Sequence, residues 1–277
     1  MVTQQEKAER FAALHKRPGA FPIPNPWDAG TAVLLHGMGF EALASTSAGL
    51  AFALGRRDVG GVTRDEVIAN VRAIVAATPL PVSADLENCY ADDPQTAAET
   101  IRLAAGAGAV GGSIEDATGD ADNPIYDFDL AVERVKAAVA AARSLPFKFT
   151  LTARAENFLY GRADLSDTIR RLKAYEAAGA DVLYAPALPS ADAIREVCSA
   201  LSKPVNVLLG SGQSLSVREL GELGAKRVSV GSGFNRAALG AFVAAAEEFR
   251  DHGTARFAKT AIPYGKIMDL MPPTQTA

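Results

Sequence analysis

With 277 residues, 48% of them hydrophobic, and a formal net charge of −4, the chain is long enough for one large domain or two small ones. The absence of a basic cluster argues against nucleic acid or an acidic membrane face as a partner. No run approaches the ~18 apolar residues of a membrane span, and Met1 to Arg17 is charged and lacks an apolar signal core.

Residues 4–16 read as an amphipathic opening helix with Ala8, Phe11 and Ala12 on one face. Phe21 to Asp28 carries three prolines, which exclude a long helix and suit a short first strand. Asp28 can N-cap a helix through His36. Ala42–Thr46 is the second strand, and residues 50–62 read as a Gly-rich loop containing Asp58. Thr63-Arg64-Asp65-Glu66 has capping-box spacing and opens a helix to about Ala77.

The third strand, 81–86, ends in Asp85 and Glu87. Two residues apart on an extended chain, these carboxylates point the same way and repel unless a cation or an acidic proton lies between them. A helix follows at 94–105, then a fourth strand at 110–114 that ends in Glu115 and Asp116. A polar loop at 116–126 leads to a helix at 127–143. The fifth strand, 147–153, delivers Arg154, and its helix is 164–178. Strands at 181–185, 204–209 and 227–230 alternate with helices near 190–200, 216–223 and 234–250. The glycines at 39, 108, 179 and 224 fit helix C′ positions just before strands.

Eight strand–helix alternations predict a parallel (β/α)8 TIM barrel of α/β class, with an extra N-terminal helix. An open doubly wound sheet is the alternative, weakened because no GxGxxG follows the first strand. The barrel places strand ends on one face, where Trp27, Ser45–Gly49, Asp58, Asp85, Glu87, Glu115, Arg154 and Asn206 would meet. Acid, acid and arginine on three successive strand ends point to a site for a metal and an anionic ligand. Cys89 and Cys198 have no metal or disulfide spacing and fit a reducing, cytoplasmic compartment. His15, His36 and His252 lie in helices or near the C-terminus, so a His-ligated zinc site is not expected.

Asn-Pro-Trp-Asp (25–28), Thr-Ser-Ala-Gly (46–49), Asp58, Asp85-Leu86-Glu87, Ser-Ile-Glu-Asp (113–116) and Ala-Arg-Ala-Glu (153–156) resemble the isocitrate lyase/phosphoenolpyruvate mutase superfamily. The match spans nearly the whole chain. The resemblance implies a Mg²⁺-dependent barrel, with Mn²⁺ as a substitute ion, that makes or breaks C–C or C–P bonds beside a carboxylate. Asp85 would be the main direct metal ligand, with Glu87, Glu115 and Asp58 holding metal-bound waters. Arg154 would grip the substrate carboxylate. The amides of Ser47 and Ala48 would bind the same end or an enolate oxygen, Trp27 would wall the pocket, and Asn206 is a further candidate for substrate contact. The family also implies a homodimer or homotetramer that exchanges a C-terminal helix. The apolar residues of a 255–277 extension (Ile262, Tyr264, Ile267, Met268, Leu270 and Met271) fit that role or a fold-back on their own barrel.

The departures narrow the chemistry. Family lyases carry Lys-Lys-Cys-Gly-His after the fourth strand, and the mutases and phosphonopyruvate hydrolases carry lysine and asparagine there. This chain has Ala117-Thr118-Gly119-Asp120-Ala121-Asp122-Asn123-Pro124, and Ser113 stands where the lyases have histidine. The expectation is a lyase of a small 2-oxo or 2-hydroxy dicarboxylate, with Tyr184, Tyr126 or water returning the proton. Phosphonate chemistry and a non-catalytic 2-oxo acid binder are the alternatives.

Overall fold

Most helices begin at a side chain that satisfies their first orphan amides. Thr3, Asp28, Thr63 and Ser216 each close a full capping box, and Thr46, Asp93, Asp164 and Ser190 each accept a single N-cap bond. The computed structural model describes residues 2–210 and 214–271. The elements run α1 (Gln4–Leu14), β1 (Phe21–Ile23), α2 (Ala29–Gly37), β2 (Leu43–Ala44), α3 (Ser47–Ala53), α4 (Arg64–Ala76), β3 (Val82–Ala84), α5 (Pro94–Gly106), β4 (Gly111–Glu115) and α6 (Phe128–Arg143). They continue with β5 (Thr150–Arg154), α7 (Leu165–Ala177), β6 (Val182–Tyr184), α8 (Ala191–Ala200), β7 (Val205–Leu208), α9 (Val217–Glu222), β8 (Arg227–Ser229), α10 (Gly233–His252) and α11 (Tyr264–Leu270).

The eight strands pair in the order β1-β8-β7-β6-β5-β4-β3-β2, all parallel. Across the remaining seam the Ala44 amide donates to the Pro24 carbonyl at 3.1 Å, and Asn25 Nδ2 donates to the Ser45 carbonyl at 3.0 Å. The result is a nearly closed (β/α)8 barrel. The glycines at 39, 108, 179 and 224 all have positive φ, between 87° and 105°, as the helix-to-strand turns require. One expectation fails. Residues 47–53, read as a strand exit and the start of a loop, form the short helix α3. Its seven residues, five of them Ser, Ala or Gly, are too few to show an apolar period, and only Thr46, which accepts from the Gly49 amide, marks its start.

Alanines and branched residues from α4 to α9 pack against the outer face of the strands in one large core. A second cluster lies where α1 meets the start of β1: Ala8, Phe11, Leu14, Phe21 and Val110. The extension contributes α11, whose Leu270 rests against Gly37 of α2. Helix α10 has a different character. Of its 20 residues only Asn235 is buried, while Phe242, Val243 and Phe249 are exposed. Among the described residues no helix is long and apolar enough to cross a membrane.

Candidate active site

Asp85 follows β3 directly, and three neighbouring elements fix its carboxylate. The Ser47 amide, the first of α3, donates to Oδ2 at 3.0 Å. Ser113 Oγ of β4 donates to Oδ1 at 3.3 Å, and Arg154 Nη1 of β5 donates to the same oxygen at 3.0 Å. The Asp85 amide itself donates to Ser45 Oγ at 2.8 Å. The strand ends of β2, β3, β4 and β5 therefore share one polar cluster.

Beyond Asp85 the chain leaves the extended conformation. Glu87, Cys89 and Tyr90 have φ of 48°, 60° and 59°, a left-handed geometry that non-glycine residues adopt at a cost of order 1–3 kcal/mol each. This corrects the reading of Asp85 and Glu87 as parallel side chains on one strand. The turn is held from below by the buried guanidinium of Arg134, which donates to the carbonyls of Asn88, Ala91 and Asp92. The two acids still interact. Burial, then Asp85 and Asp58, push the Glu87 carboxyl up to about 7.

Arg154 is the cation of this cluster. Its Nη1 lies 3.0 Å from both Asp85 Oδ1 and Glu115 Oε2, and its Nε lies 2.7 Å from Glu156 Oε1. Burial raises the Glu115 and Glu156 carboxyls, and their shared arginine draws both back toward the charged form. Behind them, Asp116 accepts from the Glu156 amide at 2.8 Å, from Tyr175 Oη at 2.6 Å and from Arg171 Nη1 at 3.1 Å. This second buried network anchors the start of the loop after β5.

The strand ends surround a cavity of about 200 Å³. Ser47, Ala48, Asp58, Asp85, Arg154 and Asn206 line it, as does Tyr184. Glu87 and Glu115 are set back behind Asp85 and Arg154 and do not line it. Asp58 sits at an exposed position on its loop; partial burial, then the facing Asp85, raise its carboxyl. Trp27 is not brought to the cavity wall. Its Cβ lies against Gly49, and its carbonyl accepts from Asn70 Nδ2 at 2.9 Å. Asn206 uses its amide inside the protein: Nδ2 donates to Ser229 Oγ at 2.9 Å and Oδ1 accepts from Arg227 Nε at 2.8 Å.

Two further groups are settled by contact. Tyr126 does not line the cavity; its hydroxyl donates to Asp92 Oδ1 at 2.5 Å. Cys89 is buried beneath Ser113, and burial pushes its thiol up to about 12, so it is no substitute for a nucleophilic loop cysteine. Tyr184 faces the cavity beside Arg154, whose Cζ lies 5.1 Å from the ring centroid, and burial raises its phenol to about 12. Sequence reasoning overlooked Arg227. Its only signal was a charged residue at an inward position of β8, two before Ser229.

Asp58, Asp85, Glu87, Glu115 and Glu156 converge around Arg154, an acid excess that favours a divalent cation. Among the described residues no three His, Cys, Asp or Glu side chains form a ligand cluster. Asp58 and Asp85, the acids of this set that line the cavity, fit an ion that takes few protein carboxylates and keeps its waters, as Mg²⁺ does.

A family model described as phosphoenolpyruvate phosphomutase matches residues 11–250. The chain belongs to the isocitrate lyase/phosphoenolpyruvate mutase superfamily. Within it, a solved structure from Burkholderia cenocepacia J2315, named "putative lyase/mutase", is 61% identical with a TM-score of 0.94, covering 96% of this chain and 95% of that one. The "probable 2-methylisocitrate lyase 1" of Corynebacterium glutamicum is 30% identical over 260 residues, covering 90% of this chain and 83% of the relative. The oxaloacetate decarboxylase of Bradyrhizobium diazoefficiens is 29% identical over 219 residues, covering 76% and 74%. Superfamily membership brings the loop after β4 into focus. It folds on itself, with Ala117 bridged to Ile125 and Thr118 Oγ1 donating to the Asn123 carbonyl at 2.5 Å, and it offers no cation to the site.

Proposed function

We propose that the protein is a Mg²⁺-dependent carbon–carbon lyase that cleaves a small 2-oxo or 2-hydroxy dicarboxylate, by decarboxylation or retro-aldol cleavage, through an enolate. The observation that carries this reading is the crowd of carboxylates around Asp85, opposed by the single guanidinium of Arg154. Asp85 is the group to hold the ion, with Glu87, Glu115 and Asp58 receiving its waters. When bound, the ion supplies positive charge against the negative charge that develops on the 2-oxygen.

This chain's own residues supply the rest. Arg154 places a fixed positive charge on the cavity wall for the carboxylate that stays. Tyr184 places a phenol hydroxyl at the cavity, and its raised pKa keeps that group protonated, ready to give a proton to the enolate left when the bond breaks. Ser113 and the Ser47 amide hold Asp85 in one orientation. The loop 117–124 carries Asp120 and Asp122, which repel a phosphonate of about two negative charges. A carboxylate-losing reaction has no need of a cationic clamp there.

A screen of oxo and hydroxy dicarboxylates with Mg²⁺, read by release of pyruvate or a homologue, tests the reading. We expect turnover of at least one dicarboxylate and none of phosphonopyruvate. Phosphonopyruvate hydrolysis, or its conversion to phosphoenolpyruvate at enzymatic rates, would replace this reading with phosphonate chemistry. Failure of every dicarboxylate while oxalate still binds would leave a 2-oxo acid binder.

A further inference from the structure

Arg227 opens β8, paired with Phe21 of β1 and Asn206 of β7. Its side chain lines the same cavity as Asp85, yet it is only 5% exposed. The guanidinium reaches Thr152 Oγ1 through Nη2 at 3.0 Å, and Nε donates to Asn206 Oδ1 at 2.8 Å. Both partners are neutral. Nη1 is buried with no hydrogen-bond partner, and among the described residues no carboxylate forms an ion pair with Arg227. Arg154, by contrast, already holds three carboxylates.

An isolated cation in a barrel interior is costly unless an anion accompanies it. Arginine does not escape by losing its proton. The arrangement is also built rather than incidental. Asn206 is held in turn by Ser229, so that its oxygen faces Nε, and Thr152 presents its hydroxyl to Nη2. Thr152 stands two residues before Arg154 on β5. Arg227 therefore works one layer deeper than the acid cluster, roughly 7 Å along the strand direction. A two-carbon acid held at Asp85 does not bridge that step, whereas a longer diacid can.

We propose that Arg227, oriented by Asn206 and Thr152, is an anion anchor on the cavity floor that takes one small anionic group. Resting on the lyase reading above, the group is the second carboxylate of the dicarboxylate, and Arg227 then selects diacids over monoacids. The same chemistry admits a free inorganic monoanion such as chloride. Arg227 makes no contact with the acids assigned to the ion, so its role is separable from theirs.

The test compares wild type, Arg227→Met and Arg227→Lys by calorimetry with Mg²⁺, using oxalate and 3,3-difluorooxaloacetate as probes. Each titration is run with and without 200 mM chloride against a bulky organic counter-anion, about twenty times a 10 mM buffer and within the range where screening of exposed charge is already strong. Thermal unfolding is followed against chloride in parallel. A carboxylate at Arg227 predicts that Arg227→Met weakens the four-carbon probe at least tenfold and oxalate less than twofold, with chloride competing against the four-carbon probe alone. Arg227→Lys keeps the charge and recovers part of the loss. A free monoanion at the site predicts instead a saturable chloride stabilisation of wild type that Arg227→Met lacks, with both probes unchanged. Should Arg227→Met not fold, Arg227→Lys carries the comparison, with a smaller loss of the same pattern. Equal responses of wild type and variants to both probes and to chloride would overturn the proposal. Absence of Mg²⁺-dependent oxalate binding in wild type would instead count against the lyase reading, and the chloride arm would still judge Arg227.

Discussion

Asp116 shows how much of the site depends on residues that never meet substrate. It is 3% exposed and receives Tyr175, Arg171 and the Glu156 amide at once. Removing it takes one carboxylate from the Arg171 guanidinium, itself buried, and leaves it the Asp167 ion pair, Tyr175 and the Tyr126 carbonyl. Breaking a buried pair from one side typically costs about 3–5 kcal/mol. Asp116→Ala should therefore lose stability of that order in urea unfolding, and more than Asp116→Asn, which keeps the acceptor oxygen. Equal stability of wild type and Asp116→Ala would remove this network from the account. At this scale the sequence was partly legible. Asp85, Arg154 and Glu115 stand out because acids and arginine at apolar strand ends are unusual. Arg227 did not, because its meaning depends on Asn206 and Thr152 approaching from β7 and β5, and no spacing within one strand encodes that. Glu87 was placed by strand period, and a left-handed turn redirected it.

Helix α1 illustrates the element scale. Its apolar face was readable from the sequence, and Ala8 and Phe11 dock as that face requires; the capping box of Thr3 and Glu6 emerges from the structure. His15, which follows it, was legible only as a helix residue. In place, its Nδ1 lies 2.8 Å from the Phe11 carbonyl, so Nδ1 carries the proton, and Nε2 is buried with no partner. Its ring meets Phe11 and Phe21 edge-on. Burial, then the charge of Arg227, lower its pKa from 6.5 to about 4. The folded protein thus keeps His15 neutral where the unfolded chain protonates it. Below about pH 6.5 the unfolded state binds the extra proton, so stability falls with pH down to about 4 and levels off below. Each unit of pKa difference is worth about 1.4 kcal/mol, which bounds the effect at roughly 3 kcal/mol. The ring is half-buried, and the observed loss should be smaller. His15→Gln should flatten stability between pH 7.5 and 5.0 relative to wild type; parallel curves would show that other groups set the acid limit. The misread α3 belongs here too. A helix of seven residues, five of them Ser, Ala or Gly, is too short to print a period on its sequence.

For the whole molecule, the eight-stranded barrel was legible because short apolar strands alternate with helices throughout, and glycines at 39, 108, 179 and 224 mark the turn into every second strand. The end of the chain was not. Phe242, Val243 and Phe249 on α10, with Ile262, Tyr264 and Met268 beyond it, leave more large apolar side chains in solvent than a free barrel needs. We expect this face to pack on a neighbouring copy in a dimer or tetramer. Removal of the chain after Thr260, or Phe242→Asp, should lower the mass measured by light scattering, whereas an unchanged mass would assign these residues to the protein's own surface. The central claim, that the acid cluster is a divalent-cation site serving an oxo acid, is tested most directly by titrating oxalate calorimetrically into wild type and Asp85→Ala, each with Mg²⁺ and with excess chelator. The account predicts binding only to wild type with Mg²⁺; oxalate binding as tightly to Asp85→Ala, or to wild type in chelator, would contradict it.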